Sequence, residues 1–306
     1  MSDTSIASAT SALAALLDRH TPCDGVHATA IPRLHLIRST SPTDRLPALH
    51  QPAMCIVAQG RKRVMLGNSV FTYDRADYLV VSVEVPVIGQ ILEASVEAPY
   101  LCLRLDLDPV AIGALLLEVD FAHAEPAPVD RPLSLSSITS ELLGSALRLL
   151  GLLDKPQDIA ILAPMVEREI LYRLLTGDQS ATLRQIAVAD SKLHQVNRAI
   201  GWIKQNFRAP FSIDVLASEA RMSHSTLHEH FKSITSMSPL QYQKQLRLQE
   251  ARRLILSQSL DSAMAGHLVG YDSPSQFSRE YKRAFGASPT RDIARLRALP
   301  AWQRAL

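Results

Sequence analysis

Cysteine is scarce: Cys23, Cys55 and Cys102 are the only three in 306 residues. Their number is odd and no pair has CxxC spacing, which argues against a disulfide framework and a zinc ribbon. Long apolar runs are missing too, since none approaches the ~18 residues that suggest a membrane span. The opening "MSDTSIASATSALAALLDRH" lacks the basic start and long apolar core of a secretory signal, and its apolar spacing suits a short amphipathic helix. A cytoplasmic protein is the expectation. A glycine-rich phosphate loop, a nucleophile elbow and the zinc-protease HExxH pattern are all absent, so nothing local points to catalysis. With 47% hydrophobic and 20% charged residues, the composition indicates neither disorder nor a fibrous repeat. The length is comfortable for two domains, each able to bury its own core.

The net charge of +2 conceals a division. Residues 191–306 carry 17 Lys and Arg against 8 Asp and Glu, whereas the first 190 residues carry 15 against 22. A basic third beside an acidic remainder points to a polyanion partner for that third, or else to a solvated basic surface.

The first half reads as short strands: "IPRLHLIR" (31–38), "AMCIVAQ" (53–59), "RVML" and "SVFTY" (63–73), "YLVVSV" (78–83), "VIGQIL" (87–92) and "YLCLRLDL" (100–107). Gly67-Asn68 joins two of them as a tight hairpin, and the close spacing favours an antiparallel sandwich or barrel. In "YLCLRLDL", Leu101, Leu103, Leu105 and Leu107 share one face, while Cys102, Arg104 and Asp106 share the other. If the second face lines a cavity, Arg104 and Cys102 are candidates to meet an effector; otherwise Arg104 pairs with a nearby acid at the surface. Beyond Pro109 the period becomes helical. Ile138, Leu142, Ala146, Leu149 and Leu153 form one stripe, followed by Ile161, Leu162, Met165, Val166, Ile170 and Leu174. The apolar positions spread wider than one buried face requires, which suits either a helix pair on the sheet or an isologous dimer contact. "TGDQSATLRQIAVAD" (176–190) is the expected hinge region.

The basic third contains one unit twice. "SHSTLHEHFKSITSMSP" (223–239) aligns with "SPSQFSREYKRAFGASP" (273–289) at a shift of 50 residues, with five identities in 17. Each copy starts with a serine placed to cap a helix, and Pro274 takes a first helical position, where its missing N–H costs nothing. "IDVLASEA" (213–220) and "DSAMAGHLV" (261–269) precede them as short helices, giving helix, tight turn, helix. Ala217 and Gly266 are small where two helices must cross. Gly270 suits a left-handed residue at the second turn; Arg221 stands at the first, where that conformation costs on the order of 1 kcal/mol. Pro239 opens a long helix that buries Leu246, Ala251, Leu254 and Ile255 and fixes the spacing of the two units. Successive major-groove faces recur about every 34 Å, so such a spacer suits a duplex.

The succession "LASEARMSHSTLHEHFK…SP…RLQEARRLI" and "VGYDSPSQFSREYKRAFGASP" closely resembles the double helix-turn-helix domain of the AraC/XylS transcription regulators over about residues 195–295. The strand-rich half resembles the cupin-type domain of one AraC subgroup. The resemblance implies an α+β chain of two domains: a cupin-like antiparallel β-barrel followed by helices over 1–180, a linker over 181–192, and an all-α DNA-binding domain over 193–300 with two helix-turn-helix units joined by a long helix. It implies double-stranded DNA, a small-molecule effector, a second copy of the chain and RNA polymerase as partners, with no cofactor and no membrane. Carried over, Ser225, His228 and Glu229 face base edges in the first unit and Ser275, Gln276 and Arg279 in the second. Arg279 suits guanine and Gln276 adenine. Ser223, Lys232, Ser273 and Lys282 are placed for phosphates. Glu229 departs from the family, which usually has arginine there; a carboxylate is repelled by phosphates and accepts only from a donor such as cytosine N4.

His224 and His228, four apart, share a spacing that zinc sites use, but no third ligand is near in sequence, and His27, His35 and His50 are scattered. Two rivals to the regulator stand beside it. In one, a barrel enzyme or sensor uses the basic domain only for docking. In the other, a thiol switch operates at Cys55 or Cys102, against the plainer reading of buried inert thiols.

Overall fold

The computed structural model describes residues 2–75, 77–118, 132–187 and 191–298. The chain divides into two compact units, between His194 and Gln195.

The first unit opens with helix α1 (Ser2–His20). Nine strands follow: β1 (Gly25–Ala28), β2 (Leu34–Ser39), β3 (Leu46–His50), β4 (Ala53–Gln59), β5 (Arg61–Leu66), β6 (Ser69–Asp74), β7 (Asp77–Val81), β8 (Val85–Glu93) and β9 (Tyr100–Asp106). Helix α2 (Pro109–Glu118), strand β10 (Leu133–Ser137) and helices α3 (Ser140–Gly151), α4 (Pro156–Thr176) and α5 (Ser180–Ala187) complete the unit. The expected barrel is built as two antiparallel sheets, one in the order β1-β2-β9-β4-β7-β10 and the other β3-β8-β5-β6. Gly67, with φ 55, turns the β5–β6 hairpin as its Gly-Asn pair suggests.

Strand β9 departs from a simple half-buried pattern. Leu101, Leu103 and Leu105 are buried on one face, where α1 packs over β9 and β4. Tyr100 and Cys102 are buried on the other, beside Cys55 of β4 and Lys62 of β5. A strand covered on both sides loses the clean alternation of apolar and polar residues. Strands β1, β3 and β10 are additions to the expected set, short strands at sheet edges that contain His27, Pro47 and three serines. Edge strands need little apolar patterning, so their signal is weak.

Two helical expectations change. Residues 180–187, expected within the hinge and linker, form α5, whose Thr182, Leu183 and Ile186 are buried against α2 and α4. The rest of that expected linker includes 188–190, which lie outside the described residues. On α4, Ile161, Leu162 and Met165 are exposed by 69%, 40% and 63%, while Ile159, Ala163, Glu167, Ile170 and Leu174 face inward. The inward polar member is neutralised, because Arg33 donates to Glu167 at 2.5 Å.

The second unit is helical: α6 (Lys192–Asn206), α7 (Ile213–Ala220), α8 (His224–Thr235), α9 (Pro239–Gln258), α10 (Ser262–Leu268), α11 (Pro274–Phe285) and α12 (Pro289–Ala298). Ser238 starts α9 with a reciprocal capping box, its hydroxyl accepting from the Gln241 N–H while the Gln241 side chain accepts from the Ser238 N–H. Leu246, Ala251, Leu254 and Ile255 are buried as expected. At 1.5 Å per residue, the 20 residues of α9 span about 30 Å. The helix packs on α8 and on α10, α11 and α12, so both halves of the unit are braced by one rod.

Candidate nucleic-acid interface

The two α7–α8 and α10–α11 pairs are built by the same local chemistry. Ser212 caps α7 and Asp261 caps α10. Each first helix then closes through two backbone bonds: Met222 and Arg221 donate to Ala217 and Ser218, and Tyr271 and Gly270 donate to Gly266 and His267, all at 3.0 Å. The closing residue is left-handed in both, Arg221 at φ 55 and Gly270 at φ 95. An added Cβ at Gly270 would lie 2.5 Å from the Arg208 carbonyl oxygen, so glycine is required there on two counts. The turns differ by one residue: Met222 alone separates Arg221 from the next cap, whereas Tyr271 and Asp272 follow Gly270.

Helix crossing explains the small residues. A Cβ on Gly266 would come within 2.9 Å of the Phe277 ring, so this glycine lets α11 lie directly on α10. The first unit uses the smaller Leu227 and keeps Ala217. Phe231 meets Tyr242 edge-on at 5.5 Å, and Phe277 meets Tyr281 at the same separation.

With these apolar faces buried, the polar faces of α8 and α11 are left outward. Ser225, His228, Glu229 and Lys232 are exposed on α8, and Ser275, Gln276, Arg279 and Lys282 on α11. The serines before them act locally as caps, the Ser223 and Ser273 hydroxyls accepting from the Thr226 and Gln276 N–H groups. Lys232 and Lys282 sit in the last turns of their helices, where a cation opposes the negative end of the helix dipole. His224 lies 3.0 Å from Asp214 of α7 rather than against His228.

Gln276 is already engaged. Its amide donates to Glu280 at 3.2 Å, and Glu280 also accepts from Lys244 at 2.7 Å and from the Tyr271 hydroxyl at 2.8 Å. Burial pushes the Glu280 carboxyl up, but these hydrogen bonds outweigh it and hold the carboxyl below the ordinary range. This contact takes one of the two Gln276 amide hydrogens.

Sequence reasoning missed the groups that hold this surface. Arg247 of α9 donates to the carbonyls of Phe207, Ala209 and Gly270 at 2.6, 2.8 and 2.8 Å, tying the chain after α6 to the second turn. Gln243, one turn earlier, donates to Phe207 and Ala209. Two polar residues four apart beside buried Tyr242 and Leu246 were the available signal. Behind α11, Asp292 is fully buried and accepts two bonds from Arg252, at 2.8 and 3.0 Å, and one from the Tyr281 hydroxyl at 2.9 Å.

In the first unit, Arg104 is paired with Asp106 at 2.7 Å. Its neighbours, His50 and Cys55, place it toward the space between the sheets. A small pocket of about 20 Å³, lined by Thr43, His50, Lys62 and Ile91, has room for one water-sized molecule. A larger groove of about 940 Å³ runs beside α1, bounded by Ala14, Arg38, Arg61, Glu97 and Leu101. It includes neither Arg104 nor Cys102.

A two-sheet domain together with paired helix-turn-helix units defines a class, the two-domain helix-turn-helix regulators. A family profile described as the AraC-type transcriptional regulator N-terminus matches residues 30–182, half of the chain, and a helix-turn-helix domain profile matches 216–295. The chain belongs to the AraC family of transcriptional regulators. It is 27% identical over 158 residues to the HTH-type transcriptional activator RhaS of Salmonella schwarzengrund, covering 51% of this chain and 55% of that protein. RhaS of Salmonella typhimurium matches to the same extent. The chain thus spans about half the length of the curated relatives it matches. Among solved structures, an apo variant of ToxT from Vibrio cholerae superposes with a TM-score of 0.59 at 9% identity, over 87% of this chain and 99% of that one. Wild-type ToxT bound to an unsaturated fatty acid gives 0.53 at 10% identity, over 85% and 93%. At such identities the likeness is one of fold.

Proposed function

We propose that this chain is a sequence-specific DNA-binding transcription regulator, and not an enzyme. The observation that carries the reading is the pair of like-built helix-turn-helix units on one 20-residue brace, each with a polar second helix turned outward. Ser275, Gln276 and Arg279 read bases in the second unit, with Arg279 suited to guanine O6 and N7. Ser225 and His228 do so in the first, where Glu229 restricts the choice to a cytosine amino group. Lys232 and Lys282 hold phosphates, as do the Ser223 and Ser273 hydroxyls.

The N-terminal two-sheet unit receives the effector. The fatty acid in one ToxT structure makes an apolar carboxylic acid a reasonable first probe. An organic molecule suits the 940 Å³ groove beside α1 better than the filled interior around Arg104 and Cys102. Ile161, Met165 and Tyr172 leave an exposed apolar line on α4. An isologous pairing centred between Met165 and Arg168 lays Ile161 of one copy against Tyr172 of the other, giving a homodimer. Activation, as in RhaS, implies a further contact with RNA polymerase.

Titrating the purified chain against duplexes selected from a random pool tests this reading. The expected affinity falls steeply between 50 and 200 mM salt, because bound cations displace counterions from phosphates. An Arg279→Ala variant should lose about 1–3 kcal/mol and its preference at one base pair. Salt-independent association, or no enriched sequence, would overturn it.

A further inference from the structure

We propose that the half-buried Glu280 sets the sequence preference of the second helix-turn-helix unit by fixing the amide of Gln276 in the orientation that adenine requires. It is a positioning residue, and it has this role only if Gln276 contacts a base, as proposed above.

Gln276 is the third residue of α11, after Pro274 and Ser275, and its N–H is capped by the Ser273 hydroxyl at 3.3 Å. Glutamine at this place in a helix can turn back to its own cap. Gln241 does so at the start of α9, where its side-chain oxygen accepts from the Ser238 N–H at 2.9 Å. Gln276 turns forward instead. Its Nε2 donates to Glu280 Oε1 at 3.2 Å, across the four-residue spacing that brings side chains together on a helix.

Glu280 is itself held at both oxygens. Lys244 of the α9 rod donates to the same Oε1 at 2.7 Å, and the Tyr271 hydroxyl donates to Oε2 at 2.8 Å. Tyr271 is buried, with its ring edge-on to Phe277 at 5.4 Å and the Arg247 guanidinium 5.8 Å from the ring centre. One carboxylate oxygen is thereby tied to α9 and the other to the turn before α11.

The consequence for base reading follows from donors and acceptors. An ionised carboxylate, as Glu280 is at neutral pH, has no proton to give, so it takes the nitrogen end of the neighbouring amide and rejects the oxygen end. Gln276 keeps its oxygen and one N–H for a partner. Those are the two groups that pair with adenine, the oxygen accepting from N6 and the N–H donating to N7. An amide free to turn over would also present its nitrogen where the N6 donor stands. A side chain already held also loses less freedom on binding. The device belongs to the second unit: at the shift of 50 residues, Thr226 and His230 stand where Gln276 and Glu280 do.

The test uses the native full-length chain and duplexes it selects from a random pool. Affinity is measured at fixed salt for each of the four bases at the position that Gln276→Ala relaxes. A bidentate contact gives an adenine preference of about 5–150-fold there. Glu280→Ala should bring that preference close to the Gln276→Ala level, while affinity for an unselected duplex rises because a carboxylate has left the helix that faces DNA. In the Gln276→Ala background, Glu280→Ala should change the preference no further, since it acts through that side chain. Tyr271→Phe, which spares the charge and most of the packing, should give a smaller loss of preference. It also decides the matter if Glu280→Ala does not fold. Full wild-type preference in Glu280→Ala, or in Tyr271→Phe where that is the variant that folds, would overturn the proposal and leave Gln276 as a reader. An equal loss of affinity for all four bases, with a lowered melting temperature, would mark a merely structural role and overturn it too. Wild-type preferences at every position in Gln276→Ala would remove the base contact itself, and the absence of any selected sequence would remove DNA reading altogether.

Discussion

Replacing Asp292 by alanine should strongly destabilise the part of the second unit that carries α11. The carboxylate has no exposed surface and accepts four hydrogen bonds, two from Arg252, one from the Tyr281 hydroxyl and one from Arg295. Arg252 is itself only 11% exposed in its side chain and lies 4.5 Å over the Phe285 ring, so it has no route to water when its partner is removed. Truncating one member of such a pair costs about 3–5 kcal/mol, mostly the penalty of an orphaned charge. That is a large share of the ~5–15 kcal/mol that holds an ordinary domain together. At roughly 4–8 °C per kcal/mol for a domain of this size, the transition should fall by about 15 °C or more. Urea unfolding followed by tryptophan fluorescence is suitable, since Trp202 lies in α6 of the same unit. The paired replacement Arg252→Met with Asp292→Leu removes both charges and should recover most of the loss. A single-variant cost below about 1 kcal/mol, or a double variant as unstable as the single, would refute the reasoning.

Three further outcomes follow from particular residues. Arg221→Gly relieves the left-handed backbone at the first turn and should stabilise by about 0.5–1 kcal/mol in the same urea assay, net of the freedom glycine gains on unfolding; destabilisation would contradict the strain. Burial first, then Lys62 and Arg104, brings His50 down to about 3 from 6.5, so its neutral fold is fully stable above 6.5 and loses stability as pH falls toward 3, by up to about 1.4 kcal/mol per pH unit. His50→Gln should remove that slope between pH 6 and 4, and an unchanged difference between the two proteins across that range would exclude it. Glu229→Arg replaces an exposed carboxylate on α8 with a cation and should tighten duplex binding at fixed salt; unchanged or weaker binding in a gel-shift titration would argue that α8 does not face DNA.

The second unit was far more legible in the sequence than the first, for physical reasons. Caps, turns and crossing points are local, so Ser223, Gly266, Gly270 and Ser238-Pro239 announce the two units, and their repetition confirms them without any knowledge of tertiary structure. Arg221, which stands where the second unit has Gly270, is left-handed as well, at φ 55, although an arginine does not signal it. Long-range partnerships leave no such trace. Arg252 meets Asp292 across 40 residues, and Arg247 meets Phe207 across the same distance. The sheets are harder still, because β9 is covered on both faces and edge strands such as β3 carry little pattern. Residues 180–187 read as hinge because their polar residues conceal Leu183 and Ile186, two side chains that α2 and α4 bury. Cys55 and Cys102 lie 47 positions apart in the chain, and only strand register sets them on one face.

The central claim is that two recognition helices on one rod enter neighbouring major grooves of one duplex. Hydroxyl-radical footprinting of the full chain on a selected site measures this directly. Two protected patches about 10–10.5 base pairs apart on one side of the helix, the second lost in Arg279→Ala, are the result expected. One patch alone, or two on opposite sides of the duplex, would contradict it.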